Sequence, residues 1–220
     1  MKIKPSKTPL VVKKMFPNYV WEISSSKKKL YLTFDDGPTP EVTDWVLNTL
    51  RQFKAKATFF CIGDNVRKYP ELFSQIIREG HSIGNHTYNH IKGWKTKTKH
   101  YLENALMAEE QMAVQIPNHK SQKTNNINLF RPPYGQIKRK QGKQLMALGY
   151  HIIMWDVLSF DWDKKVSNQE CLEKVISKSK EGSIVVFHDS VKASANMKFA
   201  LPKVLEYYSE KGFCFKPLVL

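Results

Sequence analysis

Two carboxylates stand side by side at Asp35-Asp36, after the apolar run Leu30-Tyr31-Leu32 and immediately before Gly37-Pro38. Adjacent anions repel, and a fold tolerates them best where a cation or a shared proton relieves the repulsion. The run reads as a short buried strand that Gly-Pro breaks at once. The pair is therefore set where a strand leaves a core, a position at which α/β proteins build active sites. Taken alone, the same residues also describe a turn with an Asp at its start.

Fifty residues on, His86-Thr87-Tyr88-Asn89-His90 carries two imidazoles four positions apart. That spacing lines them up on one face of a helical turn, so that both can grip one ion. By itself the pair equally suits two solvated surface histidines. Joined by a carboxylate, two His and one Asp make a site of three protein ligands with open positions for water and substrate. That is a hydrolytic metal site in outline.

Three further segments could complete it. Arg131-Pro132-Pro133-Tyr134-Gly135 is a rigid turn able to aim a guanidinium inward, or else an ordinary Pro-rich loop. Ile184-Val185-Val186-Phe187-His188-Asp189 is a buried strand ending in a histidine, which could also be a satisfied core residue. Trp155-Asp156-Val157-Leu158-Ser159-Phe160-Asp161-Trp162 again leads apolar strand residues into carboxylates and an aromatic.

The ordered set Thr-Phe-Asp-Asp-Gly-Pro, Asn-His-Thr-Tyr-Asn-His, Arg-Pro-Pro-Tyr-Gly, Asp-Trp and Val-Phe-His-Asp resembles the five motifs of the NodB-type polysaccharide deacetylases, carbohydrate esterase family 4. The resemblance runs from about Lys29 to Gly212, and its specificity lies in five motifs in one order. It implies a divalent metal held by Asp36, His86 and His90, usually zinc and sometimes cobalt or nickel. It implies Asp35 as the general base towards the attacking water, with Arg131 pairing to keep it ionised and oriented. The backbone N–H of Tyr134 would help stabilise the oxyanion, and His188 would be the acid that protonates the leaving amine. Asp161 would accept a hydrogen bond from His188 and raise its basicity. Trp162, Val186 and Pro132 would line the substrate pocket. The implied reaction is removal of N-acetyl groups from amino sugars of a polysaccharide, peptidoglycan or chitin-like, with release of acetate.

Two departures stand out. The residue after the second histidine is Ile91, where family members usually have Pro. The fourth motif, commonly Asp-x-x-Asp-Trp, aligns as Leu158-Ser159-Phe160-Asp161-Trp162, so its first Asp is missing. Asp156 lies two places early, on the same face of a regular strand, and is given no role.

The chemistry supports this division of labour. An amide is a poor electrophile and its amine a poor leaving group, so hydrolysis needs water activation, carbonyl polarisation and amine protonation together. An O-acetyl esterase or small-amide hydrolase of the same fold is the alternative, and a non-catalytic carbohydrate-binding module a weaker one. Such a module would not need the full set of acid, base and ligands. An Asp-Asp phosphatase would call for oxygen ligands rather than two imidazoles.

The elements that must position these residues alternate. Strands are expected at Leu30–Phe34, Ala57–Cys61, Ser82–Gly84, Asn128–Phe130, Tyr150–Trp155, Ser183–Phe187 and Phe213–Lys216. Helices are expected near Pro40–Phe53, Pro70–Glu79, Lys97–Val114, Arg139–Leu148, Asn168–Ser179 and Ala200–Glu210. Pro40 and Pro70 suit first helical turns, and Gly80, Gly149 and Gly212 suit C-terminal stops. Repeated strand–helix units predict an α/β fold with a parallel sheet. The resemblance implies a distorted (β/α) barrel of seven strands over residues 29–220, with 1–28 as an N-terminal extension packed on it. Pro117–Asn126 reads as a surface loop.

With 220 residues and 41% hydrophobic content, the chain can bury a full core as one domain. A monomer without a transmembrane segment is expected. Met1–Tyr19 lacks the apolar core of a secretory signal, which on sequence alone points to the cytoplasm, or to the envelope or exterior if a leader precedes it. Cys61, Cys171 and Cys214 show no metal or redox spacing, and Cys61 and Cys214 sit in apolar runs as expected buried thiols. The 35 basic residues outnumber the 20 acidic ones, a net charge of +15. Lysine clusters at Lys27–Lys29, Lys92–Lys99 and Lys138–Lys143 are either solvated helix faces or a means of attracting an anionic polymer. They lack interleaved aromatics, and no nucleic-acid partner is expected.

Overall fold

In the computed structural model, which describes residues 5–24, 27–116 and 128–220, the chain alternates strands and helices. The strands are β1 (Lys29–Asp35), β2 (Thr58–Cys61), β3 (Ser82–Asn85), β4 (Leu129–Phe130), β5 (His151–Ile152), β6 (Val157–Leu158), β7 (Ile184–His188) and β8 (Cys214–Phe215). The helices are α1 (Leu10–Met15), α2 (Val42–Gln52), α3 (Gly63–Lys68), α4 (Pro70–Arg78), α5 (Thr98–Val114), α6 (Arg139–Ala147), α7 (Asn168–Ile176) and α8 (Ser194–Glu210). Seven strands run in the order β5-β4-β3-β2-β1-β7-β6, and β8 adds to β1. Every pairing between these strands is parallel. A parallel sheet in which helices follow strands curls into the barrel expected from the sequence.

Alternation along β1 sorts its side chains between two cores. Leu30, Leu32 and Phe34 face the helices, packing with Val46, Leu47, Val204 and Leu205. Tyr31 points into the barrel with Phe60, Leu129 and Ile184, and Thr33 and Asp35 meet Arg131 there. A period of two thus places Asp35 inside while its neighbours hold the wall.

The sheet does not close. β5 and β6 are its two ends, joined by only Ile153–Asp156, and among the described residues neither has a strand partner on its outer edge. The N-terminal segment fills this seam. Val20 N–H donates to Ile152 O at 2.8 Å and Met154 N–H to Val20 O at 2.7 Å, while Thr8 N–H donates to Asp156 O and Leu158 N–H to Ser6 O, both at 2.8 Å. Beneath it the Lys13 ammonium reaches Asp156 Oδ1 at 2.6 Å, and Ser183 Oγ–H donates to Asp156 Oδ2 at 2.6 Å. Asp156 therefore ties down the segment and is not aimed at the cleft.

Several expectations shift. The predicted strand Tyr150–Trp155 resolves into β5 alone, since the chain bends there to leave one edge of the sheet and begin the other. α2 starts at Val42, after Pro40, whereas Pro70 does occupy the first turn of α4. α8 begins at Ser194, six residues early, and α7 stops at Ile176. Gly80, Gly149 and Gly212 all take positive φ, between 76° and 92°, as helix stops require. Cys214 is exposed rather than buried, while Cys61 and Cys171 are buried free thiols. Pro117–Asn126 lies outside the described residues. Among those described, no helix is long and apolar enough to cross a membrane.

Candidate metal centre and catalytic cleft

Register brings the chemistry together. Asp35 lies directly opposite His188 across β1 and β7, and Asn85 opposite Phe130 across β3 and β4. Asp36, His86 and Arg131 each follow at the C-terminal end of its strand. All the motif residues therefore converge on one end of the barrel.

Asp36, His86 and His90 offer one ligand atom each, all within 4.8 Å of one another. Asp36 Oδ1 stands 3.2 Å from His90 Nε2 and 3.7 Å from His86 Nε2. His86 Nδ1 lies 2.7 Å from the Arg131 carbonyl, which can only accept, so that nitrogen carries the proton and Nε2 presents its lone pair. Burial lowers the pKa of both histidines, that of His86 well below the ordinary value, and keeps them neutral as ligands must be. Asp36 Oδ1 is buried yet accepts no hydrogen bond from any of the described residues. A buried carboxylate oxygen facing two imidazole lone pairs is costly unless a cation sits among them. The residues fit a divalent ion, and the two-nitrogen, one-oxygen donor set suits zinc, cobalt or nickel.

The histidines are not on a helical turn, as their spacing suggested. They sit on a loop after β3 in which Thr87 and His90 take φ of 64° and 54°. Two asparagines hold that shape. Asn85 Oδ1 accepts from Thr87 N–H at 2.8 Å, and Asn104 Oδ1 accepts from the N–H groups of Tyr88 at 2.9 Å and Asn89 at 3.1 Å. On the other side Asp189 accepts from Gly37 N–H at 2.9 Å and from Thr43 Oγ–H at 2.6 Å. A Cβ on Gly37 would lie 1.9 Å from the Asp189 carboxylate, so glycine is required there. Asn65 Nδ2 donates to the Asp36 carbonyl at 2.8 Å. Sequence reasoning missed these supports. The available signal was a buried polar residue, Asn104, in the apolar stripe Tyr101–Ala105–Ala108–Met112 of α5.

Arg131 is fully buried, its guanidinium 4.1 Å from the Phe60 ring centroid. It donates to Asp35 Oδ1 at 2.7 Å, Thr33 Oγ at 2.6 Å, Met154 O at 2.8 Å and Ile153 O at 3.3 Å. Burial lowers its pKa, and the hydrogen bond and charge of Asp35 oppose that. Across the site Asp161 grips His188 twice, accepting from its backbone N–H at 2.7 Å and from ring Nδ1 at 2.8 Å. Burial disfavours the imidazolium, but Asp161, helped by Asp36 and Asp35, outweighs it and raises the His188 pKa to about 9.

The cleft between these groups holds about 850 Å³ and is lined by Tyr134, Pro132, Leu158, Trp162 and Val186 among others. Tyr134 takes φ of 60° and sets its ring 4.5 Å from that of His90. Trp162 packs edge-on to His188 at 4.6 Å. Leu158, standing where the usual motif has an acid, is thus part of an apolar wall. The structure brings together every residue given a role from the sequence, while Asp156 stands apart beneath the N-terminal segment.

The family model for polysaccharide deacetylases matches residues 22–153, more than half of the chain. The chain belongs to the polysaccharide deacetylase family. A peptidoglycan-N-acetylglucosamine deacetylase of Bacillus cereus is 34% identical over 197 residues, covering 89% of this chain and 88% of the relative. Chitin deacetylase 2 of Saccharomyces cerevisiae is 30% identical over 80% of this chain and 55% of its own length. Among solved structures, the Bc1960 peptidoglycan N-acetylglucosamine deacetylase, crystallised with an N-hydroxybenzamide, superposes with a TM-score of 0.85 at 32% identity. That match covers 96% of this chain and 95% of the other. As a polysaccharide deacetylase this chain keeps a barrel with its motif residues at strand C-terminal ends.

Proposed function

We propose that this protein is a metal-dependent hydrolase that removes N-acetyl groups from amino sugars of a wall glycan and releases acetate. The observation that carries the reading is the opposed pair across β1 and β7. Asp35 is hydrogen-bonded to a buried cation and His188 to a buried anion, with the Asp–His–His ligand set beside them. One is equipped to take a proton and the other to give one.

Asp36, His86 and His90 would hold the ion, zinc by preference, which when bound supplies carbonyl polarisation and acidifies water. Asp35 takes the proton of the attacking water, with Arg131 fixing the carboxylate's direction. The Tyr134 N–H donates to the developing oxyanion. His188, its Nδ1–H committed to Asp161, delivers a proton from Nε2 to the departing nitrogen. Trp162, Val186 and Leu158 close around the acetyl methyl, and Pro132 stiffens the turn beside it. A protonated acid matters more for an amine than for an alcohol leaving group, which favours amide over ester. The names of the relatives, deacetylases of peptidoglycan and of chitin, agree with that preference. The net charge of +15 suits an anionic wall polymer, and such a substrate implies action at the cell envelope.

The test is acetate release from peptidoglycan, N-acetylglucosamine oligomers and acetylxylan, by protein stripped with a chelator and by protein reloaded with zinc. Zinc-restored release from the amide-bearing glycans is expected. Release from acetylxylan alone would reassign the protein as an ester hydrolase.

A further inference from the structure

The loop after the second histidine carries groups that the reaction does not use. Trp94 is 62% exposed, yet its position is fixed. Its indole N–H donates to the Ile137 carbonyl at 3.3 Å. The backbone around it is clamped by Gln141, fully buried, whose Nε2 donates to Gly93 O at 2.9 Å and Thr96 O at 3.2 Å. Gln141 Oε1 accepts from Lys138 N–H at 2.8 Å, binding the loop to the turn that follows Tyr134. The fit is close: a Cβ on Gly93 would lie 2.2 Å from the Gln136 carbonyl. A single exposed apolar side chain needs no explanation. A buried amide committed to presenting one beside a catalytic cleft does.

Trp94 lines the same cleft as His90 and Tyr134. Tyr134 is itself 55% exposed, and the Lys92 ammonium lies 4.8 Å from its ring centroid. The sequence from the metal ligand outward is therefore imidazole, phenol, ammonium, with an indole on the same loop. Flat rings held in place recognise the apolar face of a pyranose at small entropic cost. An ammonium beside them recognises an anionic substituent.

We propose that Trp94 and Lys92 form a glycan subsite next to the metal centre, taking a neighbouring sugar of the polymer that bears a carboxylate. Trp94 stacks on its ring and Lys92 pairs with its acid group. The proposal rests on the deacetylase reading above, and it assigns to the 91–97 loop the choice between acidic and neutral polymers.

The experiment measures kcat and KM for acetate release by the zinc-loaded enzyme, using N-acetylglucosamine oligomers of two to six units and soluble peptidoglycan strands rich in carboxylates. Trp94→Ala should raise KM for the hexamer about fivefold to tenfold with little change in kcat, and Trp94→Phe should recover part of it. Lys92→Gln should raise KM for the peptidoglycan strands several-fold more than for the neutral hexamer. Equal KM values for hexamer and dimer in wild type and Trp94→Ala would overturn the stacking role. Equal losses on neutral and acidic glycans in Lys92→Gln would overturn the charge role. Calorimetric titration with the same glycans separates this proposal from the catalytic one. Binding that weakens in the variants upholds the subsite even if no acetate appears, and binding indifferent to both removes it.

Discussion

In the proposed reaction a single carboxylate decides what His188 does. Asp161 holds both the backbone and the ring of His188, and the imidazole pKa rises to about 9. For an acid that must be protonated to act, the alkaline limb of kcat/KM on an amide substrate should therefore lie near pH 9. Asp161→Asn removes the anion that favours the imidazolium, so the limb should move to lower pH by about one unit or more, and kcat should fall. An acetyl ester should suffer less, and a profile that does not move would give the tuning to another group. The same shift acts on stability. The group's contribution is complete below its ordinary value of 6.5 and fades as pH rises through about 9. The base is tested differently: Asp35→Asn should cut turnover on the order of 10²–10⁴-fold with zinc content retained, by metal analysis. Loss of zinc with turnover kept would exchange the roles of Asp35 and Asp36. That these residues would gather at one site was legible in the sequence because the proposed chemistry restricts their type. Asn104 and Asn65 were not, and Asp189, though it stands in the fifth motif, was given no role, because all three act on backbone groups up to 152 residues away and any sequence offers many such polar residues.

Among the elements, strands were easier to read than the turns that leave them. The apolar runs of β1, β2 and β7 and the glycine stops of the helices follow from local physics. The loop that carries His86 and His90 does not. Its two positive φ values are held by Asn85 at the end of β3 and by Asn104 from α5, and the contact with α5 cannot be read locally. The break between β5 and β6 was invisible for a similar reason, since only the curl of the whole sheet decides where an edge falls. The turn after β1 depends in the same way on Asp189, which receives the Gly37 N–H and the Thr43 hydroxyl. Asp189→Ala should weaken zinc binding about 10–100-fold through Asp36, measured by competition with a chromogenic chelator. Unchanged affinity in a folded variant would show that Asn65 alone sets the Asp36 backbone.

For the molecule as a whole, the N-terminal segment matters more than its length suggests. The Lys13–Asp156 ion pair beneath it is almost closed to water, with side-chain exposures of 12% and 0%. Lys13→Met should destabilise the fold by ~3 kcal/mol in urea unfolding, because Asp156 then loses its nearest cation. A cost near zero would mean that Lys7, 3.4 Å from the other oxygen, carries the charge alone. The Asp156 pKa is lowered, because Lys13 and Ser183 outweigh the effect of burial. Its contribution is thus present above the ordinary value of 3.8 and disappears as acid drives the pH below it. What acid would then uncover is an assembly hazard. With the segment lifted, the outer edges of β5 and β6 offer unpaired backbone to any second chain, and parallel edges of that kind are templates for aggregation. Acidified protein should therefore scatter light before it loses its helical signal. Replacing Lys13 should bring that onset to higher pH, so that the seam rather than the core sets the shelf life of the enzyme.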